Sequence, residues 1–207
     1  MRPWWHHPRL QAAVADGLFR GWQWASRIGT LGRETSVGRR FGALGTGSAL
    51  AFPPGPSFGL EWVRIGDGTM IGPGVCLAVG MVPDEPDLAP PDGWAIRIGD
   101  RCYIGRGSSI VGRHHIDIGD DVTTGPDIYV TDHNHRYDDA STPIARQWVR
   151  EAPVVIGAGS WLGAGVVVLP GTTLGRNVVV AAGSVVRGDF PDRAVIAGVP
   201  AEVVKQP

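Results

Sequence analysis

Residues 156–186 read IGAGSWLGAGVVVLPGTTLGRNVVVAAGSVV, and this stretch decides the fold. An aliphatic residue recurs at every sixth position, at Ile156, Leu162, Val168, Leu174, Val180 and Val186. A period of six fits neither an α-helix, which repeats about every 3.6 residues, nor a long strand, which alternates. It predicts short strands joined by tight corners. The aliphatic side chain would point inward, and the glycine that often follows it would suit the corner, including positive φ where needed.

The same period runs through earlier parts of the chain. Aliphatic residues six apart occur at Ile65, Ile71 and Leu77, then at Ile98, Ile104, Ile110 and Ile116, and after a slip of two residues Ile118 leads through Thr124 to Val130. Three such sides would close a triangular coil, and successive coils would pair in parallel. A β-sandwich of short strands would show turns at wider and less regular spacing. The sequence therefore predicts an all-β fold, a parallel β-helix of hexapeptide repeats.

The extent of the repeat divides the chain into three parts. Residues 1–27 precede it as an N-terminal arm, in which Pro8–Arg27 carries apolar residues at helical spacing and predicts an amphipathic helix. Residues 28–200 are expected to form the β-helix domain, with degenerate first coils over 28–60. Residues 201–207 are expected to form a C-terminal tail.

The composition excludes several classes of protein. The 19 basic and 20 acidic side chains give a net charge of −1, so no nucleic-acid partner is indicated. The uncharged stretch 152–175 is long enough to cross a bilayer, but its two prolines, six glycines and six-residue period argue against a membrane span. No secretory signal is visible near the start. Cys76 and Cys102 are too few for a disulfide scaffold and indicate buried thiols in a reducing, cytoplasmic setting.

Two stretches, 82–94 and 131–153, break the period and are expected to leave the helix as loops. The second follows the segment that begins Tyr-Val-Thr at 129 and continues Asp-His-Asn-His to 135. Acyl transfer from a thioester to a hydroxyl needs a base near the acceptor, and histidine, with a pKa of about 6.5, suits this role. Structural roles are favoured for the histidines of the arm and of one corner, which are His6, His7, His114 and His115. His133 and His135 lie in the segment 129–135, and the choice between a structural and a catalytic role for them depends on the resemblance that follows.

From residue 98 onward the chain resembles the galactoside and maltose O-acetyltransferase branch of the hexapeptide-repeat acyltransferases, whose coils wind left-handed. Several members carry a histidine in the loop after the same coil, and Val130-Thr131-Asp132-His133 aligns with that turn. The resemblance implies a left-handed β-helix and a CoA-dependent acyltransferase with His133 as catalytic base. His135 is the second choice, because Asn134 replaces the proline that follows the histidine in the family. Contacts to the small-molecule acceptor are expected from Asp132, Asn134 and His135.

The last coils and the tail resemble the coenzyme-binding part of the same family. The matching segments are Gly159–Ala164, Ala181–Val186 and Ala197–Lys205. The resemblance implies acetyl-CoA, or another acyl-CoA, as co-substrate, with no metal. The residues at the matching positions are expected to bind it, with the two cations on its phosphates: Trp161, Ala164, Ala182, Arg187 and Lys205. It also implies a homotrimer with sites between subunits, in which Tyr137 or Trp148 lines a neighbour's pocket.

Two other functions fit the predicted fold. A γ-class carbonic anhydrase binds zinc through three histidines from two subunits, and this chain offers His114 or His115 together with His133 and His135. Their spacing, however, departs from that family. A non-catalytic β-helix scaffold is the third alternative. The acceptor stays open, because Gly188 and Glu202 stand where relatives of the galactoside branch carry a lysine and an arginine. The resemblance therefore implies acyl transfer without implying a galactoside or maltose as acceptor.

Overall fold

The structure is a computed structural model that describes residues 7–81, 88, 90–147 and 149–206. Within these residues the strands stack into three faces, and the chain passes from face 1 to face 2 to face 3 in each regular coil. Face 1 contains seven strands, face 2 nine and face 3 five. All pairs between successive coils are parallel, apart from one antiparallel pair at each end of face 2. The predicted parallel β-helix is therefore confirmed.

The strands are short and evenly distributed. Face 1 consists of Ala43–Leu44, Val63–Ile65, Ile96–Ile98, Ile116–Ile118, Val154–Ile156, Thr173–Leu174 and Asp189–Phe190. Face 2 consists of Leu31–Gly32, Ala49–Leu50, Met70–Ile71, Tyr103–Ile104, Thr123–Thr124, Trp161–Leu162, Val179–Val180, Val195–Gly198 and Ala201–Lys205. Face 3 consists of Cys76–Val79, Ser109–Gly112, Tyr129–Thr131, Val167–Val168 and Val185–Val186.

The core is a set of aliphatic columns, one for each face. On face 1, Ile98 pairs with Ile118, Ile118 with Ile156, and Ile156 with Leu174. All four side chains are at most 1% exposed. Burying an aliphatic side chain of this size contributes about 1.5–3 kcal/mol, and each one gains its cover from the coils above and below. The six-residue period therefore reflects the packing of aliphatic side chains between successive coils, which holds the coils together.

The glycines of the repeat serve two separate purposes. The glycine directly after the inward aliphatic does not adopt positive φ, which corrects part of the sequence-based expectation. A Cβ on Gly157 would instead strike the carbonyl oxygen of Gly175 in the next coil. Positive φ occurs two residues later, at Gly159 with φ 74°. The first glycine permits close stacking of coils, and the second permits the corner.

Besides the interruptions at 82–94 and 131–153, three features lie outside the regular coils. The N-terminal helix spans Pro8–Ile28, which confirms the predicted helix to within one residue. Short 3₁₀ helices occur at Gly38–Arg40, Leu60–Trp62 and Ile144–Arg146. The expected tail is a strand, Ala201–Lys205, that folds back antiparallel onto Val195–Gly198. This strand covers the final edge of face 2, which would otherwise expose unpaired backbone groups.

Candidate active site

Between residues 79 and 154 the irregular parts of the repeat lie at one edge of the prism, where the chain turns from face 3 to face 1. In a regular coil the inward residues Val168 and Leu174 are six positions apart across this edge. The corresponding pair Ile110 and Ile118 has two additional residues between them, which explains the slip in the period. The interruption near 82–94 and the one over 131–153 enter at the same edge, although residues 82–87 and 89 lie outside the described residues. We call this the insertion edge.

The second interruption begins as a β-hairpin. Its strands are His133–His135 and Val149–Glu151, and they pair antiparallel with His133 opposite Glu151. Between them, the Asp139 carboxylate accepts hydrogen bonds from Ser141 and Thr142, and these bonds lower its pKa to about 2. Both candidate bases, His133 and His135, therefore lie on a strand that is fixed by its pairing in the hairpin.

Asp132 is the best-anchored polar residue at this edge. Its side chain is fully buried, and its carboxylate accepts the backbone N–H groups of Arg113, His114 and His115 at 2.7–3.0 Å. Burial alone would raise the pKa of this carboxyl, but the hydrogen bonds from His133 and the three N–H groups outweigh it, and the net pKa is lowered. Asp132 is therefore anionic at neutral pH and fixed in place.

His133 is held by this carboxylate. Its Nδ1 lies 2.9 Å from Asp132 Oδ1 and 3.3 Å from Thr131 Oγ1, and its side chain is 10% exposed. A carboxylate at Nδ1 fixes the proton there and leaves Nε2 as the basic nitrogen. Nε2 has no hydrogen-bond partner among the described residues. The ring therefore has the arrangement of an oriented general base, with one nitrogen anchored and the other available.

A cavity of about 190 Å³ adjoins the hairpin. It brings together Asn134 and His135, expected on the acceptor side, with Arg187, expected on the coenzyme side. The other residues that line it are Arg136, Tyr137, Asp138, Arg150, Ala152, Leu169 and Pro170. Hairpin and coil thus share one pocket.

Sequence reasoning did not identify three contacts of Arg113 and His115, whose backbone N–H groups bind Asp132. Arg113, 9% exposed, pairs with Glu151 at 2.7 Å, beside the strand position opposite His133. Asp92 Oδ2 lies 3.1 Å from His115 Nδ1, and the Trp94 ring packs 4.5 Å from that of His115. The slip of two residues was the only signal in the sequence for this turn. Nothing in the sequence fixes the hairpin register that places Glu151.

Other residues expected at the site fall elsewhere. Trp161 is half-exposed and lies on face 2. The residues at the corresponding position in the next three strands of this face are Val179, Val195 and Lys205. Ala164 and Ala182 lie at the corner that leads into face 3, whereas Arg187 directly follows the last strand of face 3. The expected donor residues thus form two groups at opposite ends of face 3.

The remaining expectations concern single residues. Asp132 has no exposed surface, so its burial favours a positioning role over the expected contact with substrate. Tyr137 is 76% exposed and lines the cavity of its own chain. His6 and Trp148 lie outside the described residues. Cys102 is buried and Cys76 half-buried, both as free thiols whose pKa values are raised by burial.

Neither a metal cluster nor a bilayer-crossing helix occurs in the described part of the chain. Nowhere in it do three or more side chains of His, Cys, Asp or Glu form a group that could hold a metal ion. No described helix combines the length and the apolar character that a membrane crossing requires. The geometry of the histidines therefore adds nothing in favour of a zinc site.

Two family models match the regular coils. Residues 153–188 match the bacterial transferase hexapeptide with six repeats, and residues 95–132 match the hexapeptide repeat of succinyl-transferase. The second match ends at Asp132, one residue before the candidate base. The matched stretches flank the hairpin on both sides.

Curated relatives are acetyltransferases by name. A probable acetyltransferase of Mycobacterium tuberculosis is 42% identical over 54% of this chain and 37% of its own length. A putative lipopolysaccharide biosynthesis O-acetyl transferase of Escherichia coli is 43% identical over 44% of this chain and 50% of its own. The galactoside O-acetyltransferase of E. coli is 33% identical over 59% of each chain. The chain thus spans between about a third and three fifths of these relatives' lengths.

Solved structures show the same architecture. A hexapeptide-repeat acetyltransferase of Vibrio cholerae, complexed with acetyl coenzyme A, superimposes with a TM-score of 0.52 at 28% identity. The match covers 81% of this chain and 72% of that one. Together with the family models, this likeness identifies the coil as a left-handed β-helix, as the resemblance implied.

Proposed function

This chain belongs to the hexapeptide-repeat acyltransferase family, and on that premise we propose that it transfers an acetyl or other acyl group from acyl-CoA to a hydroxyl of a sugar-containing acceptor. The observation that carries the proposal is the anchored His133: its Nδ1 is 2.9 Å from a buried carboxylate, and the two residues that follow it in the strand, Asn134 and His135, line the cavity shared by hairpin and coil. The names of the E. coli relatives support the sugar-containing acceptor.

In the proposed reaction, His133 Nε2 removes the proton of the acceptor hydroxyl as the oxygen attacks the thioester carbonyl. The tetrahedral intermediate then collapses, the C–S bond breaks, and the imidazolium returns the proton to the leaving sulfur. The products are an ester and free CoA. Asp132 keeps the ring oriented and stabilises its positive charge between these steps. Asn134 and His135, which line the cavity, are assigned to the acceptor.

The donor is assigned to a site between two copies of the chain. Arg187 lies with the hairpin at the insertion edge, while Ala164 and Ala182 lie at the opposite end of face 3, and Trp161 and Lys205 lie on face 2. A coenzyme that lies between neighbouring subunits could touch Arg187 on one subunit and the other group on the next. This division supports the homotrimer expected for the family, with Arg187 and Lys205 on the coenzyme phosphates. The two free thiols agree with the expected cytoplasmic setting.

Calorimetric titration of the metal-analysed protein with acetyl-CoA tests the donor assignment. We expect saturable binding in a metal-free sample, weakened about tenfold by Arg187→Ala or Lys205→Ala, since a charge-assisted hydrogen bond contributes about 1.5–3 kcal/mol. The matched control is Arg176→Ala, an exposed arginine at the corner between faces 1 and 2. Equal weakening by all three variants would indicate a nonspecific charge effect. Absence of binding would contradict the proposal, as would a requirement for stoichiometric zinc.

Light scattering tests the site between subunits. We expect a mass three times that of the 21.9 kDa chain. Mixing Arg187→Ala chains with Trp161→Ala chains would then restore part of the lost binding, because some interfaces would carry both native groups. A monomer with full affinity for acetyl-CoA would contradict the assignment.

A further inference from the structure

The N-terminal helix, Pro8–Ile28, does not pack into the β-helix. None of its residues is buried, and its ring contact with the coils is Trp22 against Phe52, at a centroid distance of 5.8 Å. Its large apolar side chains are 44–72% exposed: Leu10, Val14, Leu18, Phe19, Trp22, Trp24 and Ile28. A continuous exposed apolar surface of this kind marks an interaction site in a protein that folds in water.

The charged residues of the helix form one narrow stripe. Arg9, Asp16, Arg20 and Arg27 follow at intervals of seven, four and seven residues, which places them along a single line of the helix surface. The large apolar residues occupy the remaining circumference, which also carries Gln11 and Ser26. Three arginines against one aspartate give the stripe a net positive charge. The helix therefore combines a broad apolar surface rich in tryptophan and phenylalanine with a basic polar line.

The surrounding segment carries the same sign of charge. Residues 7–40 contain six arginines and two acidic side chains, whereas residues 41–207 contain twelve basic and eighteen acidic side chains. Arg39 and Arg40, in the 3₁₀ helix after the first strand, are exposed, and Arg33 is paired with Glu34. A chain with almost no net charge thus has a basic N-terminal end. This asymmetry selects an anionic partner.

We infer that the helix Pro8–Ile28 lies in the interface of an anionic phospholipid bilayer, with its apolar surface among the acyl chains and its arginines at the headgroups. A helix that lies in a membrane surface has this composition, with Trp, Phe and Leu on one side and Arg on the other. Each arginine near an anionic surface adds about 1 kcal/mol of attraction, and its aliphatic stem can reach the headgroups from below. This docking is independent of the proposed acyl transfer.

Vesicle flotation of the full chain tests the inference. We expect the wild-type protein to float with vesicles of phosphatidylcholine and phosphatidylglycerol, and to bind weakly to phosphatidylcholine alone. Leu18→Glu should lower the partition coefficient on the mixed vesicles about tenfold or more, because it removes a large apolar group from the inserted surface and adds a charge. Arg20→Gln should lower it about fivefold, on the anionic vesicles only. Added salt should weaken the wild-type binding.

Two controls make the result decisive. Val204→Glu introduces the same charge at an aliphatic that is 62% exposed on the last strand of face 2, and it should bind vesicles as the wild type does. Leu18 is 72% exposed, so its variant should keep the melting temperature of the coil. Failure of the wild type to float would overturn the inference, as would equal flotation of Leu18→Glu. A fall in oligomer mass for Leu18→Glu without vesicle binding would show that a second copy covers the helix.

Discussion

The two corners at the ends of face 3 differ in what they contribute. The corner that leads into face 3 follows the repeat from coil to coil, with Gly125 stacked under Ala164 and Gly163 under Ala182. The insertion edge at the other end departs from the repeat in successive coils and holds Asp132 and His133. At the regular corners, backbone packs on backbone and the aliphatic columns continue from coil to coil. These corners therefore stabilise the coil. The insertion edge contains residues that the coil does not need for its packing, and these residues are free to position catalytic side chains.

His133→Ala should produce the largest effect of any single change at the insertion edge. General-base catalysis contributes typically about 10²–10⁴-fold in rate, so kcat/KM should fall by that factor. The melting temperature should fall by only a few degrees, because Asp132 keeps its three backbone N–H partners. Steady-state kinetics with acetyl-CoA and a sugar acceptor, together with calorimetry, measure both quantities. His135→Ala is the matched control and should cost far less activity. A larger loss in the His135 variant would reassign the base.

Leu174→Ala should show the opposite behaviour, because this residue belongs to the regular columns. It is 1% exposed, and replacing a buried leucine by alanine lowers the free energy of unfolding by about 2–5 kcal/mol. Activity well below the melting temperature should be almost unchanged. Thr173→Ala, the outward neighbour on the same strand, controls for the strand position and should cost at most about 0.5 kcal/mol. Denaturant titration measures both variants. Equal losses would contradict the inward assignment of the column.

Asp132→Asn should affect stability and activity together, because Asp132 joins the coil to the hairpin. An amide oxygen cannot replace a carboxylate that accepts four N–H groups, so we expect a loss of about 1–3 kcal/mol in unfolding free energy at pH 7. We also expect kcat to fall at least about tenfold, since the ring of His133 loses its anchor. Full activity in this variant would refute the positioning role.

The pH dependence of Asp132→Asn follows from the sign of the pKa shift. The pKa of Asp132 is lower in the folded protein than its ordinary value of about 3.9. The carboxylate therefore stabilises the fold above about pH 4, and this stabilisation is lost as the pH falls through the lowered pKa. The stability difference between wild type and variant should narrow below pH 4. Urea titrations at neutral and acidic pH measure it, and a constant difference would contradict the hydrogen-bonded anion.

The sequence predicted the coils well because the six-residue period arises directly from the burial of one aliphatic side chain on each face. Every aliphatic from Ile156 to Val186 at the sixth position is buried as expected. The insertion edge was predicted only as two loops and a slip, because the residues there obey no period. The pairing of Arg113 with Glu151 spans 38 positions and depends on the register of the hairpin. No pattern in the sequence predicts that register. His133 was found through resemblance, whereas the role of Asp132 required its burial to be known.

Glu151→Gln should give the smallest of these effects and would show how firmly the hairpin is held to the coil. Glu151 pairs with Arg113 at 2.7 Å, with side chains 30% and 9% exposed, so the pair is screened less than a surface pair. We expect a loss of about 1 kcal/mol in unfolding free energy and a fall of a few-fold in activity, because Glu151 lies opposite His133 in the hairpin.

The matched control for this last change is Glu34→Gln. Glu34 pairs with Arg33 at 2.9 Å, but both side chains are more than half exposed, so its removal should leave stability and activity unchanged. If Glu151→Gln also left both unchanged, the hairpin would be positioned by Asp132 and its own strand pairing alone. The coupling between hairpin and coil would then reside in the buried carboxylate, and a double variant of Asp132 and Glu151 would behave as Asp132→Asn does. A larger loss in the double variant would show that the two carboxylates hold the hairpin independently.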